Sequence, residues 1–168
     1  MAVDPATSAA RADHLRTTAL SFAKNFGAGL SGPECLDKFF TSNPKITEYG
    51  PHFATERLPF LAVKFTGRRR LGQSKAETCD DYYDLLTSTL ALVPGTLNIP
   101  NKQEIAVDGE RGIVTVRLRA KFKSIKTGKA WEEEFVYVLS EFDSEGRIGR
   151  QELWADPLSA WLAVGDRD

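Results

Sequence analysis

One of the two histidines in this chain, His52, lies in a segment rich in proline and aromatic residues, TEYGPHFATERLPFL (residues 47–61). An imidazole titrates near neutral pH, so it can give or take a proton during catalysis. A histidine among aromatic rings can equally be a hydrogen-bonded structural side chain. The segment alone leaves both roles open.

A second candidate for proton transfer is Glu133, the middle one of three consecutive glutamates. If Thr127-Gly128 forms a two-residue hairpin turn, the alternation of the following strand places Glu133 on the apolar face of the sheet. A carboxylate there is costly to desolvate, and burial raises its pKa towards the range of a general base. The alternative is a structural carboxylate that is paired with Arg57 or another buried base.

The same turn predicts the register of the hairpin. Apolar residues then share one face with Glu133, while opposite charges face each other on the other side. The predicted cross-strand partners are Lys123 with Glu132, Phe122 with Glu133, Lys121 with Glu134, Ala120 with Phe135, and Leu118 with Tyr137. The outward face is half apolar, which predicts a homodimer formed through this side of the sheet. Its less polar members are Ile113, Thr115, Val136 and Val138.

Two helices are predicted before residue 41, because apolar residues recur there at intervals of three and four. The first spans about residues 8–26 and ends at Gly27 and Gly29. The second opens with a capping box, Ser31 to Glu34, in which the hydroxyl and the carboxylate each accept a free backbone N–H. Pro33 in its first turn supports this start.

A third helix is predicted to open with a second capping box, Ser74 to Glu77, and to stop at Pro94-Gly95. After residue 101 the period of the apolar residues changes to two, which predicts strands. The predicted strands cover residues 104–108, 113–125, 130–143 and 148–156. Helices followed by antiparallel strands indicate an α+β fold, with the helices on one face of a curved sheet.

Composition excludes several classes of function. The chain has 168 residues with 22 basic and 23 acidic side chains, so it offers no net field for nucleic acid or a membrane surface. The run Arg68-Arg69-Arg70 predicts a solvated loop, with an anion clamp as the alternative. The amino-terminal segment lacks the apolar stretch of a secretory signal, and a cytoplasmic location is expected.

No required cofactor is expected. The two cysteines, Cys35 and Cys79, fall on apolar helix faces, which predicts buried and reduced thiols rather than a disulfide. The histidines and cysteines have no short spacing that is typical of a metal site. No phosphate-binding loop or nucleophile elbow is present either.

The order of three helices, a long hairpin and a last strand in GRIGRQELWADP (residues 146–157) resembles the SnoaL-like branch of the nuclear transport factor 2-like superfamily. The individual matches are Asp143, Gly146, Ile148, Glu152, Trp154, Asp156 and Pro157. The resemblance implies one SnoaL-like domain over residues 1–168, with its core at about 15–161. It also implies a cone-shaped antiparallel sheet covered by three helices, a cystatin-like or SnoaL-like α+β barrel.

Similar proteins use the cone as a pocket for hydrophobic small molecules. The resemblance therefore implies a cofactor-free dehydratase, isomerase or cyclase of secondary metabolism, acting on a polyketide- or terpenoid-like metabolite by acid–base catalysis. The alternative is a ligand-binding or dimerisation module of the same fold. In such a cone the expected catalytic residues are His52 and Glu133. The expected substrate-binding residues are Tyr49, Phe53, Phe60, Tyr83, Phe135, Tyr137, Glu152 and Trp154.

Overall fold

The computed structural model describes residues 5–73 and 77–165. Within them, four α-helices and seven strands are present. The helices are α1 (Pro5–Gly27), α2 (Gly32–Phe39), α3 (Cys79–Thr89) and α4 (Pro157–Val164). The strands are β1 (Phe40–Tyr49), β2 (Lys64–Thr66), β3 (Leu90–Leu92), β4 (Ala106–Asp108), β5 (Ile113–Ser124), β6 (Ala130–Ser140) and β7 (Ile148–Trp154). Two short 3-10 helices cover His52–Glu56 and Lys102–Glu104.

The strands form one sheet in the order β2-β1-β7-β6-β5-β3, and β4 also pairs with β5. The predicted α+β class is confirmed. Two details differ from the prediction: β1 and β7 run parallel, and a fourth helix, α4, follows the last strand. Asp156 caps α4 by accepting the backbone N–H of Ser159 at 3.0 Å, and Pro157 occupies its first turn.

The predicted start of α2 is confirmed. Ser31 Oγ accepts the backbone N–H of Glu34, and the Glu34 carboxylate accepts the Ser31 N–H at 2.9 Å. Strand β1 follows α2 directly, although the sequence prediction contained no strand there. Its pairing with β7 is irregular between Phe40 and Lys45, next to Pro44, which explains the weak strand signal.

The predicted limits of the third helix are wrong at both ends. Helix α3 begins at Cys79 behind a capping box of Thr78 and Asp81, and Ser74 of the predicted box lies outside the described residues. The helix ends at Thr89, before Pro94-Gly95. Its last predicted turn instead becomes β3, which pairs with β5. The backbone N–H of Leu90 still bonds the Leu86 carbonyl, so helix and strand join without a loop.

The register of the long hairpin also differs from the prediction. Glu133 lies opposite Ala120, and Lys121 lies opposite Glu132, a shift of two residues. The connection is longer than two residues because Ser124 and Lys129 close it, with Gly128 at a φ of +70°. An even shift keeps every side chain on its predicted face. The charged pairs on the outer face become Arg119 with Glu132 and Arg117 with Glu134.

The hydrophobic core lies between the inner face of the sheet and helices α1 to α3. Phe22 of α1 makes edge-to-face contacts with Phe39, Phe40 and Tyr137, with ring centroids 5.3 to 5.8 Å apart. The two cysteines are buried free thiols, as predicted. Across the ranges that the structure describes, no helix has the length and apolar character to cross a membrane.

The arginine run joins helices and is not only a solvated loop. Arg68 contacts Asp37 of α2 at 2.6 Å and Asp80 of α3 at 3.0 Å. Arg69 contacts Asp81 and Asp84 of α3, both at 2.6 Å. These ion pairs hold the loop after β2 against two of the helices that cover the sheet.

Candidate active site

An apolar cavity of about 380 Å³ lies between the inner face of the sheet and helices α1 to α3. Its apolar walls include Phe26, Leu86, Phe122, Phe135 and Leu153. Its titratable lining residues are Cys35, Glu48, Tyr83, Glu133 and Tyr137. None of the described residues that line it is a lysine, an arginine or a histidine.

Glu133 lies on the inner face of β6, as predicted, opposite the small side chain of Ala120. Its Oε2 accepts the indole N–H of Trp131 at 2.9 Å and the backbone N–H of Asp156 at 3.3 Å. Burial raises the pKa of Glu133 from 4.5 to about 6, although the Trp131 hydrogen bond lowers it. The carboxyl group is therefore oriented, and it titrates close to neutral pH.

The predicted alternative partner of Glu133, Arg57, is engaged elsewhere. Its guanidinium lies 3.5 Å from the ring centroid of Trp161 and donates to the Trp161 carbonyl at 3.2 Å. No lysine or arginine among residues 5–73 and 77–165 forms an ion pair with Glu133. Within the described residues, Glu133 is therefore not paired with a buried base.

Glu48 is the second carboxyl group of the cavity, and the sequence prediction missed it. It lies on β1 opposite Leu153 of β7, and only 6% of it is exposed. The hydroxyl of Tyr82 donates to Glu48 Oε2 at 2.9 Å. Burial raises the pKa of Glu48 from 4.5 to about 8; the Tyr82 hydrogen bond opposes this rise, and the charge of Glu133 adds to it. Glu48 is therefore protonated at neutral pH.

The backbone around Glu48 is also constrained. Its carbonyl accepts the N–H of Ala62 at 2.8 Å, and Ala62 has a φ of +57°. A non-glycine residue in this left-handed region is strained, and such residues concentrate at functional sites. The segment after the first 3-10 helix thus fixes β1 beside the cavity.

Two tyrosine hydroxyls face the same cavity. Burial raises the pKa values of Tyr83 and Tyr137 well above the ordinary value of 10, so both hydroxyls remain protonated. The Tyr83 hydroxyl lies 3.5 Å from the Cys35 thiol. The Tyr137 hydroxyl has no hydrogen-bond partner in the described part of the chain, which leaves it as a donor to a bound molecule.

Four of the predicted site residues line the cavity, namely Tyr83, Glu133, Phe135 and Tyr137. His52, which the sequence suggested as a catalytic residue, is exposed in the first 3-10 helix and does not line the cavity. Its neighbour Phe53 is 70% exposed and contacts Trp161. Phe60 is buried in the core against Tyr82, with ring centroids 6.4 Å apart.

The other three predicted binding residues lie on the outer face of the sheet. Leu153 of β7 points into the cavity, so its neighbours Glu152 and Trp154 point away from it. Tyr49 stacks on Trp154 with ring centroids 4.5 Å apart and donates its hydroxyl to Glu152 at 2.7 Å. These residues form a surface cluster on the side away from the cavity.

A sequence signal for Glu48 exists, but it depends on recognising β1. Ile46 and Glu48 are two residues apart, and both are buried on the inner face of that strand. Pro44 and Pro51 bracket this stretch and favour its assignment to a loop. The parallel pairing of β1 with the distant β7 has no local signature.

Comparisons with known proteins give no match to a family model or to a curated protein sequence. Solved structures do match. A protein classed as a SnoaL-like polyketide cyclase from Jannaschia superposes with a TM-score of 0.60 at 11% identity, covering 100% of this chain and 99% of the other. A nuclear transport factor 2-like protein from Burkholderia pseudomallei has a TM-score of 0.64 at 14% identity, covering 91% and 98%.

A third similar structure is an epoxide hydrolase/cyclase-like enzyme of pyran ring formation in the polyether salinomycin. Its TM-score is 0.56 at 15% identity, and the match covers 84% of this chain and 89% of that enzyme. The described residues contain no group of three or more His, Cys, Asp or Glu side chains placed to hold a metal ion. The open sheet, its helical cover and these superpositions together show that the chain has the cone fold of the nuclear transport factor 2-like superfamily, the fold of SnoaL-like proteins.

Proposed function

We propose that this protein is a cofactor-free enzyme that acts by general acid–base catalysis on a hydrophobic, carbonyl-containing metabolite of polyketide or terpenoid type. The reaction class is that of a dehydratase, an isomerase or a cyclase. The observation that carries the proposal is the presence of two carboxyl groups, Glu48 and Glu133, in one apolar cavity. Glu48 takes the place that the sequence prediction gave to His52.

The two carboxyl groups have different protonation states at neutral pH. Glu133, with a pKa of about 6, is mostly ionised and is suited to act as the base. Glu48, with a pKa of about 8, is mostly protonated and is suited to act as the acid. Environments that separate the pKa values of two neighbouring groups are typical of acid–base pairs.

The chemistry balances without a further reactant. Glu133 takes a proton from the carbon next to the carbonyl group, and the C–H electron pair forms the carbon–carbon double bond of an enol. The carbonyl oxygen receives a proton from Glu48 and is stabilised by the Tyr137 hydroxyl. In each route the enol then returns its proton to Glu48 as the carbonyl group forms again, and Glu133 gives back the proton that it took. An isomerase places that proton on another carbon, and a dehydratase places it on a hydroxyl group that leaves as water. In a cyclase the enol carbon bonds to a second carbonyl carbon, whose oxygen receives the proton.

The similar structures support this class of reaction without fixing it. One of them is classed as a polyketide cyclase and another is an epoxide hydrolase/cyclase-like enzyme. A non-catalytic ligand-binding module of the same fold is the second candidate. A pure dimerisation module is expected to fill its core, whereas the cavity here exceeds the roughly 300 Å³ at which small-molecule sites begin.

Hydrogen exchange tests the proposal without knowledge of the substrate. The protein is incubated in deuterated water with a panel of hydrophobic ketones, and mass spectrometry follows deuterium uptake next to the carbonyl group. The wild type is expected to accelerate uptake for ketones that fit the cavity. Glu133→Gln should lose about 10²- to 10⁴-fold of this rate, the usual cost of removing one acid–base group.

The matched control is Glu134→Gln, because Glu134 lies on the same strand but on the exposed outer face, paired with Arg117 at 2.6 Å. It should retain the wild-type rate. Full activity of Glu133→Gln, or an equal loss in both variants, would refute the assignment of Glu133 as the base. Binding of ketones with no exchange in any form would favour the binding module.

The assembly that we propose is a homodimer formed through the outer face of the sheet. This face carries Val136 and Val138 together with the stacked pair of Tyr49 and Trp154. Tyr49 is 38% exposed and Trp154 is 44% exposed. Exposed aromatic and β-branched side chains on one face are typical of a surface that pairs with another copy.

A further inference from the structure

The cavity has acidic side chains but no cationic side chain among its described lining residues to balance their charge. Its described lining includes two glutamates. In both glutamates Oε2 accepts the hydrogen bonds, from Tyr82 to Glu48 at 2.9 Å and from Trp131 to Glu133 at 2.9 Å. Oε1 of each carboxyl group accepts no hydrogen bond from the described residues.

These two unpaired oxygens are open to a bound molecule. Among the described residues, Gln151 Oε1 is the one fully buried side-chain oxygen or nitrogen without a partner. The free Oε1 atoms of Glu48 and Glu133 are therefore in contact with the cavity space. Glu48 is more than nine-tenths buried, so its free oxygen is accessible only from the cavity. A buried carboxylate without a partner is unfavourable, and proteins normally pair it.

The walls around the two carboxyl groups are aromatic. Phe26, Phe135 and Tyr137 contact one another with ring centroids 5.8 to 6.2 Å apart. Phe122 and Tyr83 extend this lining. The faces of aromatic rings attract cations, and their apolar surface favours hydrocarbon groups. Carboxylate oxygens and aromatic faces in one cavity therefore match a ligand that is both cationic and apolar.

We propose that the cavity selects its ligand by charge and prefers a hydrophobic amine in its protonated form, with the ammonium group beside Glu133 and Glu48. The inference rests on the proposed function in placing the ligand in the same cavity, and it adds the ligand's charge. A neutral ligand leaves the Glu133 carboxylate without an ionic partner. An anionic ligand adds a second negative charge where no described side chain offsets it.

Three probes with the same apolar body separate these cases, namely adamantylamine, adamantanol and adamantane carboxylate. Titration calorimetry at neutral pH and constant ionic strength measures the Kd of each for the full-length protein. The amine is expected to bind at least about tenfold more tightly than the alcohol, and the carboxylate should bind most weakly. Glu133→Gln should bring the amine close to the alcohol, while Glu134→Gln, altered on the outer face, should keep the wild-type order.

Three results with the wild type would overturn the proposal: equal binding of amine and alcohol, binding of the carboxylate as tight as that of the alcohol, or no binding of any probe at millimolar concentration. An amine preference that survives in Glu133→Gln would overturn it as well. Circular dichroism confirms that each variant is folded before titration. None of the probes is an aldehyde or a ketone, so the result is independent of turnover. A preference for the amine together with no hydrogen exchange would identify an amine carrier, whereas exchange without charge preference would leave the catalytic proposal intact.

Discussion

Glu48 and Glu133 differ in how far their carboxyl groups are removed from water, and this difference separates their proposed roles. Glu48 is buried on β1, the strand next to the edge strand β2, with the Tyr82 hydroxyl as its partner. Glu133 is partly buried on β6, close to the turn of the hairpin. Desolvation is the largest cause of the raised pKa of each group. The proposed acid, Glu48, is therefore the more deeply buried of the two. His52, expected from the sequence as a catalytic residue, lies on the surface.

The raised pKa of Glu48 predicts a specific dependence of stability on pH. The folded-state pKa of about 8 exceeds the ordinary value of 4.5, so the folded protein holds a proton that the unfolded chain releases between these values. This contribution to stability is complete below 4.5 and is lost as the pH rises through about 8. Glu48→Gln should therefore be more stable than the wild type at about pH 9, by a few kcal/mol at most, and the advantage should shrink towards about pH 5.

Urea denaturation of wild type and Glu48→Gln across this pH range measures the difference. Glu134→Gln, in which an exposed carboxylate is replaced, serves as the control and should follow the wild type. A Glu48→Gln variant that is less stable than the wild type at every pH would show that the carboxyl group is a structural partner of Tyr82 and not a desolvated acid.

At the scale of elements, the sequence predicts what is local and periodic. The capping box of Ser31 and the alternation around Glu133 depend on neighbouring residues, and both are confirmed. The faces of the hairpin survive the error in its register because the shift is even. Elements without a local pattern are absent from the prediction: β2 and β3 have three residues each, and β1 pairs with a strand about a hundred residues away. Strand β4 lies within the predicted strand at residues 104–108. Glu48 was missed with β1.

The loop after β2 should stabilise the helices through Arg68 more than through Arg69. Arg68 is 26% exposed and pairs with the Asp80 side chain, which is 8% exposed. Removing this arginine leaves a buried carboxylate with the Arg69 backbone N–H as its remaining donor, at 2.8 Å. Arg68→Ala should cost about 1–3 kcal/mol in the free energy of unfolding. Arg69→Ala breaks only exposed ion pairs and should cost about 0.5 kcal/mol or less. If Arg68→Ala and Arg69→Ala lose the same free energy of unfolding in urea denaturation, the larger contribution of Arg68 is contradicted.

At the scale of the whole molecule, the proposed homodimer depends on the outer face of the sheet. Static light scattering at tens of micromolar protein should give the mass of a dimer. Val136→Glu places a carboxylate in the middle of this face, opposite Arg117 and beside Trp154, and should shift the mass towards the monomer. Leu71→Glu is the matched control, since Leu71 is fully exposed in a loop. A monomeric wild type, or a Val136→Glu variant that remains dimeric, would rule out this interface.

The proposed chemistry depends most on the two carboxyl groups that the fold encloses, and NMR titration of the glutamate side-chain carboxyl carbons tests them directly. One resonance should titrate at about 8 and disappear in Glu48→Gln. A second should titrate at about 6 and disappear in Glu133→Gln. If the resonances of both residues titrate near the ordinary value of 4.5, the cavity does not hold an acid–base pair, and the proposed chemistry is wrong.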